Sequence, residues 1–301
     1  MSAITVVILT YYRPDPLRRA IQSCLAQQKV DGCLVEIVVV DNSPDATASV
    51  IVESMQLEAA RKRILLRFVH EPRPGISHGR NAGVRAAAGD LVAFLDDDEE
   101  AEPNWLICLY YCLNQTGADL VLGPVYPRFE RVDVAHDTFW LWCFTYDYRS
   151  PSGGNCLLRK TRCCLTDEPF DPSFGLTGGE DSWFFLCLRR SGRHIAWCAE
   201  AKAYEHHPAT RTTLRYILKR HLRLGQNFVR QFSQLEPPDL VSIAKWMTIG
   251  AVQATLFSTV ASLLWGFDRL RARKLLVKAA NGFGKVCWVS IFAIKEYGLR
   301  R

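Results

Sequence analysis

The sequence predicts an α/β protein whose mainly parallel, Rossmann-like sheet is followed by amphipathic and apolar C-terminal helices. Two observations carry this prediction. Short apolar runs alternate with helical segments along the first half of the chain, and the last third is both apolar and basic. With 301 residues, 49% of them hydrophobic, the chain can build a sizeable core and is not a disordered protein.

Strand and helix patterns alternate up to residue 122. Compact apolar runs are typical of buried strands, and proline and glycine mark the helix ends. The predicted strands cover Ile4–Leu9, Val35–Val40, Leu65–His70, Leu91–Leu95 and Asp119–Leu122, and the predicted helices cover Pro16–Gln28, Ala46–Lys62, Arg80–Ala88 and Trp105–Gln115. Because strands separated by helices are joined by right-handed crossovers, this order predicts a parallel, nucleotide-binding half over residues 1–125.

From residue 126 the pattern is less regular. An aromatic stretch and the sequence Gly153-Gly154-Asn155 precede a second alternation. Its strands are predicted at 154–159, His194–Trp197 and Lys202–Glu205, and its helices at Asp181–Arg190 and Thr212–Phe232. We expect residues 126–235 to form the acceptor-binding and catalytic half of the same domain. Pro237-Pro238 marks the beginning of a helical tail at 236–301.

The net charge of +6 conceals two different surfaces. Residues 1–210 carry 21 Lys and Arg against 27 Asp and Glu, a balance of −6, whereas residues 211–301 carry 16 against 4, a balance of +12. A basic tail with tryptophan and long apolar runs favours an anionic membrane surface as partner, and not nucleic acid. The eleven cysteines include no Cys-x-x-Cys spacing, so we expect reduced thiols in a cytosolic setting, and the first residues show no signal-peptide pattern.

Residues 246–267 contain no charged side chain and include Trp246 and Trp265. The stretch is long enough to span a bilayer, but it holds several Thr and Ser residues and has basic flanks on both sides, which opposes a single span. We expect this segment and the second apolar stretch, 276–294, to be helices that lie in or dip into the cytoplasmic leaflet. The alternative is that they pack onto the soluble domain or a partner subunit.

Three consecutive carboxylates, Asp96, Asp97 and Asp98, follow the apolar run Leu91–Leu95. In an open α/β sheet, ligands bind at the carboxyl ends of the strands. Clustered aspartates repel one another unless a hard cation neutralises them, so this position predicts a Mg²⁺ or Mn²⁺ site. The alternative is a solvated acidic turn.

Further candidates for binding an anion or a nucleotide surround this position. Asp41 ends the second strand and is a candidate for a base or ribose contact, with an Asx turn that caps a helix as the alternative. The glycine-rich segment 71–89 places Arg80 near a helix N-terminus, where a pyrophosphate is favoured. On the basic helix, Arg220 and Arg223 are candidates to bind a diphosphate bidentately.

Two further groups offer proton transfer or metal ligation. Glu180 and Asp181 open a helix, where they are either first-turn acids that complement the helix dipole or a general base for an acceptor hydroxyl. His206 or His207 is a candidate for a neutral imidazole ligand to the cation. Taken singly, each of these residues has an ordinary surface role as its alternative.

Seven motifs occur in a specific order over residues 4–227: YYRPDPLRRAIQSCLAQQ, VVVDNS, PGISHGRNAGV, FLDDDEEAEPNWL, GGNCLLR, GGEDSWFFLCLRRSG and YEHHP. In this order and spacing they resemble glycosyltransferase family 2, the inverting transferases of the GT-A fold. The chain looks most like the bacterial exopolysaccharide glucosyltransferases of the succinoglycan type. The C-terminal tail lies outside this resemblance.

The resemblance implies roles for individual residues. Nucleotide binding is implied for Thr10, Tyr12, Arg13, Asp41, Arg80, Asn81 and Asp96, with Arg220 and Arg223 added from the basic helix. Asp96 and Asp98 match the outer acids of the family's Asp-x-Asp motif and, with His206, are the candidate ligands of Mn²⁺ or Mg²⁺. Asp181 matches the catalytic base. The donor and acceptor region is expected to include Gly154, Asn155, Glu180 and Trp183.

The implied reaction moves one sugar, glucose, with inversion from a UDP-sugar to a hydroxyl of a lipid-linked oligosaccharide at the cytoplasmic face of the bacterial inner membrane. The sequence LKRHLRLGQN stands in place of the Gln-x-x-Arg-Trp motif of processive members, which favours single-sugar addition. A catalytically silent nucleotide-sugar-binding component and transfer to a lipid phosphate stay open as alternatives. A nicotinamide-dependent oxidoreductase is disfavoured, because TYYRPD follows the first strand where a Gly-x-Gly-x-x-Gly motif is required.

Overall fold

The computed structural model describes residues 2–148 and 150–297, so residues 298–301 of the predicted tail lie outside the described residues. The strands are β1 Ser2–Thr10, β2 Cys33–Asp41, β3 Leu65–His70, β4 Leu91–Asp96, β5 Glu99–Ala101, β6 Leu120–Leu122, β7 Val125–Phe129, β8 Cys156–Arg159, β9 Ile195–Trp197 and β10 Ala203–His207. The α-helices are α1 Pro14–Leu25, α2 Ser49–Arg61, α3 Ile76–Ala86, α4 Trp105–Thr116, α5 Thr138–Phe144, α6 Lys160–Cys163, α7 Glu180–Arg190, α8 Leu214–Ser233, α9 Leu240–Leu264 and α10 Arg269–Val286. The predicted boundary at 125 falls at the start of β7 and the one at 235 falls between α8 and α9, and the division into halves stays a prediction.

A seven-stranded sheet with the order β3-β2-β1-β4-β8-β6-β9 forms the centre of the fold. Its neighbouring strands pair in parallel, except that β8 is antiparallel to both β4 and β6. The predicted α/β class with a mainly parallel sheet is confirmed. The register of β1 with β4 pairs Leu9 with Asp96, so Thr10 and the aspartates leave the sheet at the same edge.

A second sheet, β5-β10-β7, starts from this edge, because β5 follows β4 after the two-residue turn of Asp97 and Asp98. Strand β10 pairs antiparallel with β5 and sets Glu205 opposite Glu99. Neither β5 nor β7 is predicted from the sequence, since the Glu-Glu-Ala of β5 has no apolar run. This small sheet brings a carboxylate from far along the chain to the aspartates.

Both faces of the central sheet are buried. One face of β1 packs with α1, α2 and α4 through residues such as Ile8, Leu17 and Trp105. The other face packs with α3 and α7 through residues such as Val7 and Phe184. Burial on both sides is the reason that the strands read as continuous apolar runs and not as alternating ones.

Helix α10 packs closely against both α8 and α9. A Cβ atom on Gly284 would lie 1.9 Å from the carbonyl oxygen of Leu222 in α8, and one on Gly282 would lie 2.6 Å from the carbonyl oxygen of Gly250 in α9. The helices meet backbone to backbone at these glycines. In addition, Val277 of α10 joins the aromatic cluster that α5 and α8 form. The tail is therefore joined to the α/β domain through α8 and α10.

Helix α9 is long and apolar enough to cross a membrane, by length and composition, with a mean hydropathy of 1.5. Its surface is mostly exposed, and Val252, Leu256 and Leu263 are more than half exposed along one face. Of the two helices that we expect in the leaflet, α9 thus keeps an exposed apolar face. Residues 276–286 lie in α10 and pack onto α8 and α9, which is the alternative considered for both stretches, whereas Ile291 and Phe292 beyond α10 are exposed.

We expect Gly284→Val to lower the free energy of unfolding by about 1–3 kcal/mol, because the added side chain forces α10 away from the α8 backbone. Urea denaturation followed by circular dichroism measures this change. The control is Gly266→Val, since a Cβ at Gly266 meets no atom within 4 Å. Equal stabilities of the two variants would show that α8 and α10 are not in close contact.

Candidate active site

A cleft of about 1120 Å³ opens at the edge where β1 and β4 end. Carboxylates and cationic groups share it. The carboxylates are Asp96, Asp97, Asp98, Glu180, Asp181, Glu205 and Glu296, and the arginines are Arg13, Arg80, Arg211, Arg220 and Arg223. Such a mixture is suited to a ligand that combines a cation with a polyanion.

Asp97 is bound within the protein. Its carboxylate accepts hydrogen bonds from Oγ1 of Thr10 at 2.8 Å and from Nη1 of Arg13 at 2.9 Å. Burial nevertheless raises the pKa of Asp97 to about 6, against the opposing effect of Arg13. The middle aspartate of the three therefore links the ends of β1 and β4, whereas the flanking pair was the one predicted to meet the metal.

Asp98 lies between two arginines. Its Oδ2 accepts from Nη1 of Arg13 at 2.9 Å and from Nη1 of Arg211 at 3.1 Å. Burial alone would raise the pKa of Asp98, but the two guanidinium groups outweigh burial and lower it. Glu205 shares Arg211 at 3.3 Å, and burial next to Asp98 raises the pKa of Glu205 to about 7. Asp98 is thus the ionised member of this pair.

Arg80 holds three parts of the site together. Its Nε donates to Glu180 at 3.1 Å, its Nη1 donates to the carbonyl of Gly153 at 3.0 Å, and its Nη2 lies 3.4 Å from Oδ1 of Asp96. Burial, with Asp181 nearby, raises the pKa of Glu180 to about 7. Arg80 was predicted to bind the pyrophosphate, and it does border the cleft, but its donors are directed at protein acceptors.

Asp181 is the second residue of α7 and borders the cleft. Its Oδ2 accepts from the backbone N–H of Gly153 at 3.1 Å. A Cβ on Gly153 would lie 2.7 Å from the Cβ of Asp181, and a Cβ on Gly154 would lie 2.7 Å from Oδ2 of Asp96. The two glycines therefore allow both carboxylates to approach the loop that enters β8.

The remaining predicted nucleotide residues at the end of β1 also line the cleft. Tyr12 has a φ of 54°, its hydroxyl donates to Asp45, and its ring meets Tyr11 edge to face at 4.8 Å. Thr10 and Arg13 stand beside it. Two aromatic rings at a strand end provide a surface on which a base can stack.

Arg220 and Arg223 project from α8 into the cleft. Arg220 is hydrogen-bonded to the hydroxyl of Tyr146, and Arg223 donates to the carbonyl of Thr177 at 3.3 Å. Arg223 also lies 5.9 Å from the ring centre of Tyr297, whose backbone N–H donates to Leu176. The two arginines were predicted from the basic helix, whereas Tyr146 and Tyr297 were not.

Asp41 is not at the cleft. It is fully buried, its Oδ1 accepts from the backbone N–H of Ser43 at 2.8 Å, and its Oδ2 accepts from the backbone N–H of Ala48 at 2.7 Å. Both oxygens are therefore occupied by the turn that leads into α2. The Asx turn that was the alternative is therefore present, and the contact to a base or ribose stays a prediction.

Asn81 and Asn155 are buried structural residues in this fold. Asn81 exchanges two hydrogen bonds with the backbone of Phe170, at 2.8 Å and 3.0 Å. Asn155 accepts from the indole of Trp105 at 2.7 Å, and its amide donates to the carbonyls of Pro124 and Ala201. Their side chains are satisfied within the protein, so the roles at the nucleotide and at the donor that were predicted for them are not supported by their positions.

His206 and Trp183 also point elsewhere. Nε2 of His206 lies 2.8 Å from Oε1 of Glu100, on the face of β10 opposite to Glu205. Trp183 stacks on Phe174 at 6.0 Å. Alternation along a strand puts residues 205 and 207 on the same face. His207, the other candidate ligand, therefore lies on the face of Glu205, with its Nδ1 3.5 Å from Oε1 of Glu205; Glu205 and Arg211 had no signal of their own in the sequence.

Comparisons with known proteins agree with this architecture. A family model described as glycosyl transferase family 2 matches residues 5–166. The succinoglycan biosynthesis protein ExoM of Rhizobium meliloti (strain 1021) is 33% identical over 238 residues, which cover 77% of this chain and 75% of that protein. ExoO, another succinoglycan biosynthesis protein of that organism, is 33% identical over 120 residues, 40% of this chain and 32% of its own length.

Solved structures show the same fold. The mannosyltransferase PcManGT from Pyrobaculum calidifontis, in complex with GDP-Man and Mn²⁺, superposes with a TM-score of 0.60 at 18% identity, over 95% of this chain and 87% of its own. Residues 1–349 of S. aureus TarS, in complex with UDP, give a TM-score of 0.53 at 16% identity, over 95% and 90%. The fold is that of the GT-A glycosyltransferases. This chain belongs to glycosyltransferase family 2, with relatives in exopolysaccharide biosynthesis, and the predicted family is confirmed.

We expect Glu205→Gln to raise the melting temperature at pH 8. The folded protein holds the pKa of Glu205 at about 7, above its ordinary 4.5. The contribution of this group to stability is therefore complete below pH 4.5 and is lost as the pH rises through 7. A neutral amide removes that loss, so the variant and the wild type should differ at pH 8 and converge towards pH 5 in scanning calorimetry without metal. The surface variant Glu58→Gln is the control, and a constant difference at every pH would contradict a raised pKa.

Proposed function

We propose that this protein transfers one glucose from UDP-glucose, with inversion, to a hydroxyl of a lipid-linked oligosaccharide in exopolysaccharide synthesis. The observation that carries the proposal is the meeting of Asp98 and Asp181 in one cleft: one follows β4, the other opens α7. Asp98 is suited to hold a cation that also binds the diphosphate. Asp181 is suited to act as the general base for the acceptor hydroxyl. The succinoglycan biosynthesis relatives support a cell-surface glycan, and the choice of glucose follows the resemblance to the exopolysaccharide glucosyltransferases.

The donor subsite in this proposal extends from β1 to α8. Tyr11 and Tyr12 receive the uracil base and Arg13 is next to it, while Arg220 and Arg223 receive the diphosphate. Guanidinium groups bind phosphate oxygens bidentately and stay charged at any working pH. PcManGT in complex with GDP-Man and TarS in complex with UDP support a nucleotide as the ligand of this fold.

A divalent cation, Mn²⁺ or Mg²⁺, completes the donor subsite in this proposal. Asp96 and Asp98 offer the oxygen ligands that these ions prefer. Burial and the nearby carboxylates raise the pKa of Asp96 in spite of Arg80, a sign of excess negative charge that a cation would relieve. Within 2–148 and 150–297 no group of three or more His, Cys, Asp or Glu is arranged to hold a metal, which fits a site that the diphosphate oxygens complete. The bound ion would neutralise the charge that grows on the leaving diphosphate.

Asp181 is the proposed general base. It accepts the proton of the acceptor hydroxyl while that oxygen bonds to the anomeric carbon and the bond from this carbon to the diphosphate breaks. The leaving group departs as UDP, and Arg220 and Arg223 stabilise its charge. One displacement from the opposite face inverts the configuration at the anomeric carbon, and no covalent sugar–enzyme intermediate is needed.

The membrane part of the proposal rests on α9. Its exposed apolar face runs through Val252, Leu256 and Leu263, and basic residues precede and follow it in the sequence. Such a helix can lie in the interface of an anionic cytoplasmic leaflet, where a lipid-linked acceptor is found. We place the protein at the cytoplasmic face of the bacterial inner membrane, as a peripheral or monotopic protein.

Asp181→Asn should lower UDP-glucose turnover by about 10²–10⁴-fold, because general-base help is lost. The affinity for UDP should stay within about twofold, since Asp181 is not assigned to the nucleotide. Release of UDP from UDP-glucose measures turnover and calorimetry measures affinity, with Asp167→Asn on the surface as control. Undiminished turnover in the Asp181→Asn variant would sink the base assignment, and wild-type protein that binds UDP-glucose without any turnover would favour the silent binding component.

Asp98→Asn should weaken the Mn²⁺-dependent affinity for UDP by at least about tenfold, since even residues that only support a metal ligand account for about 10–100-fold. Affinity without metal should be equal or higher, because Arg13 and Arg211 lose an anionic partner. Titration of UDP with and without Mn²⁺ measures both values. Asp133→Asn, a surface change of the same charge, should leave them unaltered; equal losses with and without metal would argue against metal binding at Asp98.

The double variant Leu256→Glu and Leu263→Glu should abolish flotation with vesicles of phosphatidylglycerol and phosphatidylcholine, because two charges then have to enter the interface. Leu57→Glu on α2, an exposed leucine of the α/β domain, is the control. Retained flotation of the double variant would show that α9 does not meet the membrane.

A further inference from the structure

The cleft continues past the catalytic end along α8 to the bundle of α8, α9 and α10. Tyr216 and Gln231 both line it, and the stretch of helix between them is about 22 Å long. At the far end the cleft is bordered by Phe228 of α8, Trp246 of α9 and Lys285 of α10. One continuous cleft thus connects the carboxylates with the helix that carries the exposed apolar face.

Lys285 is the unusual group at this end. It is 7% exposed, and its Nζ donates to Oε1 of Gln253 at 2.9 Å. The same Nζ lies 5.1 Å from the ring centre of Trp246 and 5.5 Å from that of Phe228. Burial lowers the pKa of Lys285, and no carboxylate among the described residues is close enough to oppose this effect. Buried charges in proteins are normally paired. Within residues 2–148 and 150–297 this ammonium group has no carboxylate as its counter-ion.

The surroundings of Lys285 indicate which anion fits. An ammonium group has three donors, so donors remain beyond the one given to Gln253. Asn281 borders the same end of the cleft and adds an amide, and the indole of Trp246 is a ring type that tolerates both lipid and water. A compact anion such as phosphate suits these donors, and the neighbouring α9 supplies an apolar surface for a lipid chain.

We propose, on the basis of the proposed function, that Lys285 binds the phosphate which joins the acceptor glycan to its lipid, with Phe228 and Trp246 at its sides. Phe228 is eight residues from Arg220 on α8, a separation of about 12 Å. This distance leaves room for sugar residues between the bound phosphate and the reacting hydroxyl. The subsite therefore favours transfer to the glycan over transfer to the lipid phosphate itself.

The test compares Lys285→Met with Lys278→Met, which removes the same charge from an exposed position of α10 beside Phe257. Binding is measured to phosphatidylcholine vesicles that contain a polyprenyl diphosphate or, at equal surface charge, phosphatidylglycerol, with saturating UDP and Mn²⁺ to fill the donor subsite. We expect the wild type to bind the diphosphate vesicles more tightly than the phosphatidylglycerol vesicles. Lys285→Met should bind the diphosphate vesicles about tenfold more weakly than the wild type does. Lys278→Met should keep the preference, and Lys285→Arg should keep part of it. Circular dichroism verifies the fold of each variant.

The possible failures are distinguishable. A wild-type protein without preference for diphosphate vesicles would overturn the lipid-linked acceptor and this subsite with it. A preference that survives in Lys285→Met would overturn the subsite alone. If free inorganic pyrophosphate displaces the wild type from diphosphate vesicles at equal phosphate concentration, the anion is recognised without its lipid, and the assignment of the subsite to a lipid-linked phosphate is overturned.

Discussion

The guanidinium group of Arg80 connects the elements on which the geometry of the cleft depends. It is 2% exposed, lies 5.0 Å from the ring centre of Phe94, and bonds at once to Glu180 of α7, to the Gly153 carbonyl before β8 and to Asp96 at the end of β4. A planar group with donors in fixed directions can hold three acceptors in one arrangement, which a lysine cannot. The separation between the carboxylates of β4 and those of α7 is set by this group, and the contact of Arg80 with a phosphate stays a prediction.

Carboxylates of the cleft are paired with arginines of the same cleft. Asp98 is held by Arg13 and Arg211, while Glu205 next to it has its pKa raised to about 7 by burial. In the proposed function Asp98 would hold the metal ion, and Arg220 and Arg223 would bind the diphosphate. The protein alone therefore already contains partners for both charges of the ligand.

The helical tail also contributes to the geometry of the cleft. Gly282 and Gly284 let α10 approach α9 and α8 backbone to backbone, and α8 supplies one side of the cleft. Helix α9 therefore has a fixed position relative to the carboxylates, although it lies outside the resemblance to the family. A membrane-bound acceptor, in the proposed function, would meet a cleft whose orientation to the bilayer is set by this packing.

The sequence by itself determines the alternation of strands and helices in the first half, the carboxylates at 96–98, the helix that Asp181 opens and the family, because apolar periodicity and local motifs are properties of neighbouring residues. It does not determine which polar side chains make their hydrogen bonds within the protein and which face the ligand. The motif places Asn155 at the sugar donor, but in the structure its side chain is hydrogen-bonded to the indole of Trp105 and to two carbonyls that are distant in the chain. Glu205 lies beside Asp98 and His206 lies on the opposite face, because β10 pairs with β5, a strand too short and too acidic to be predicted. Only the tertiary structure decides these points, since each depends on partners that are remote in the chain and on the face that a side chain presents to them.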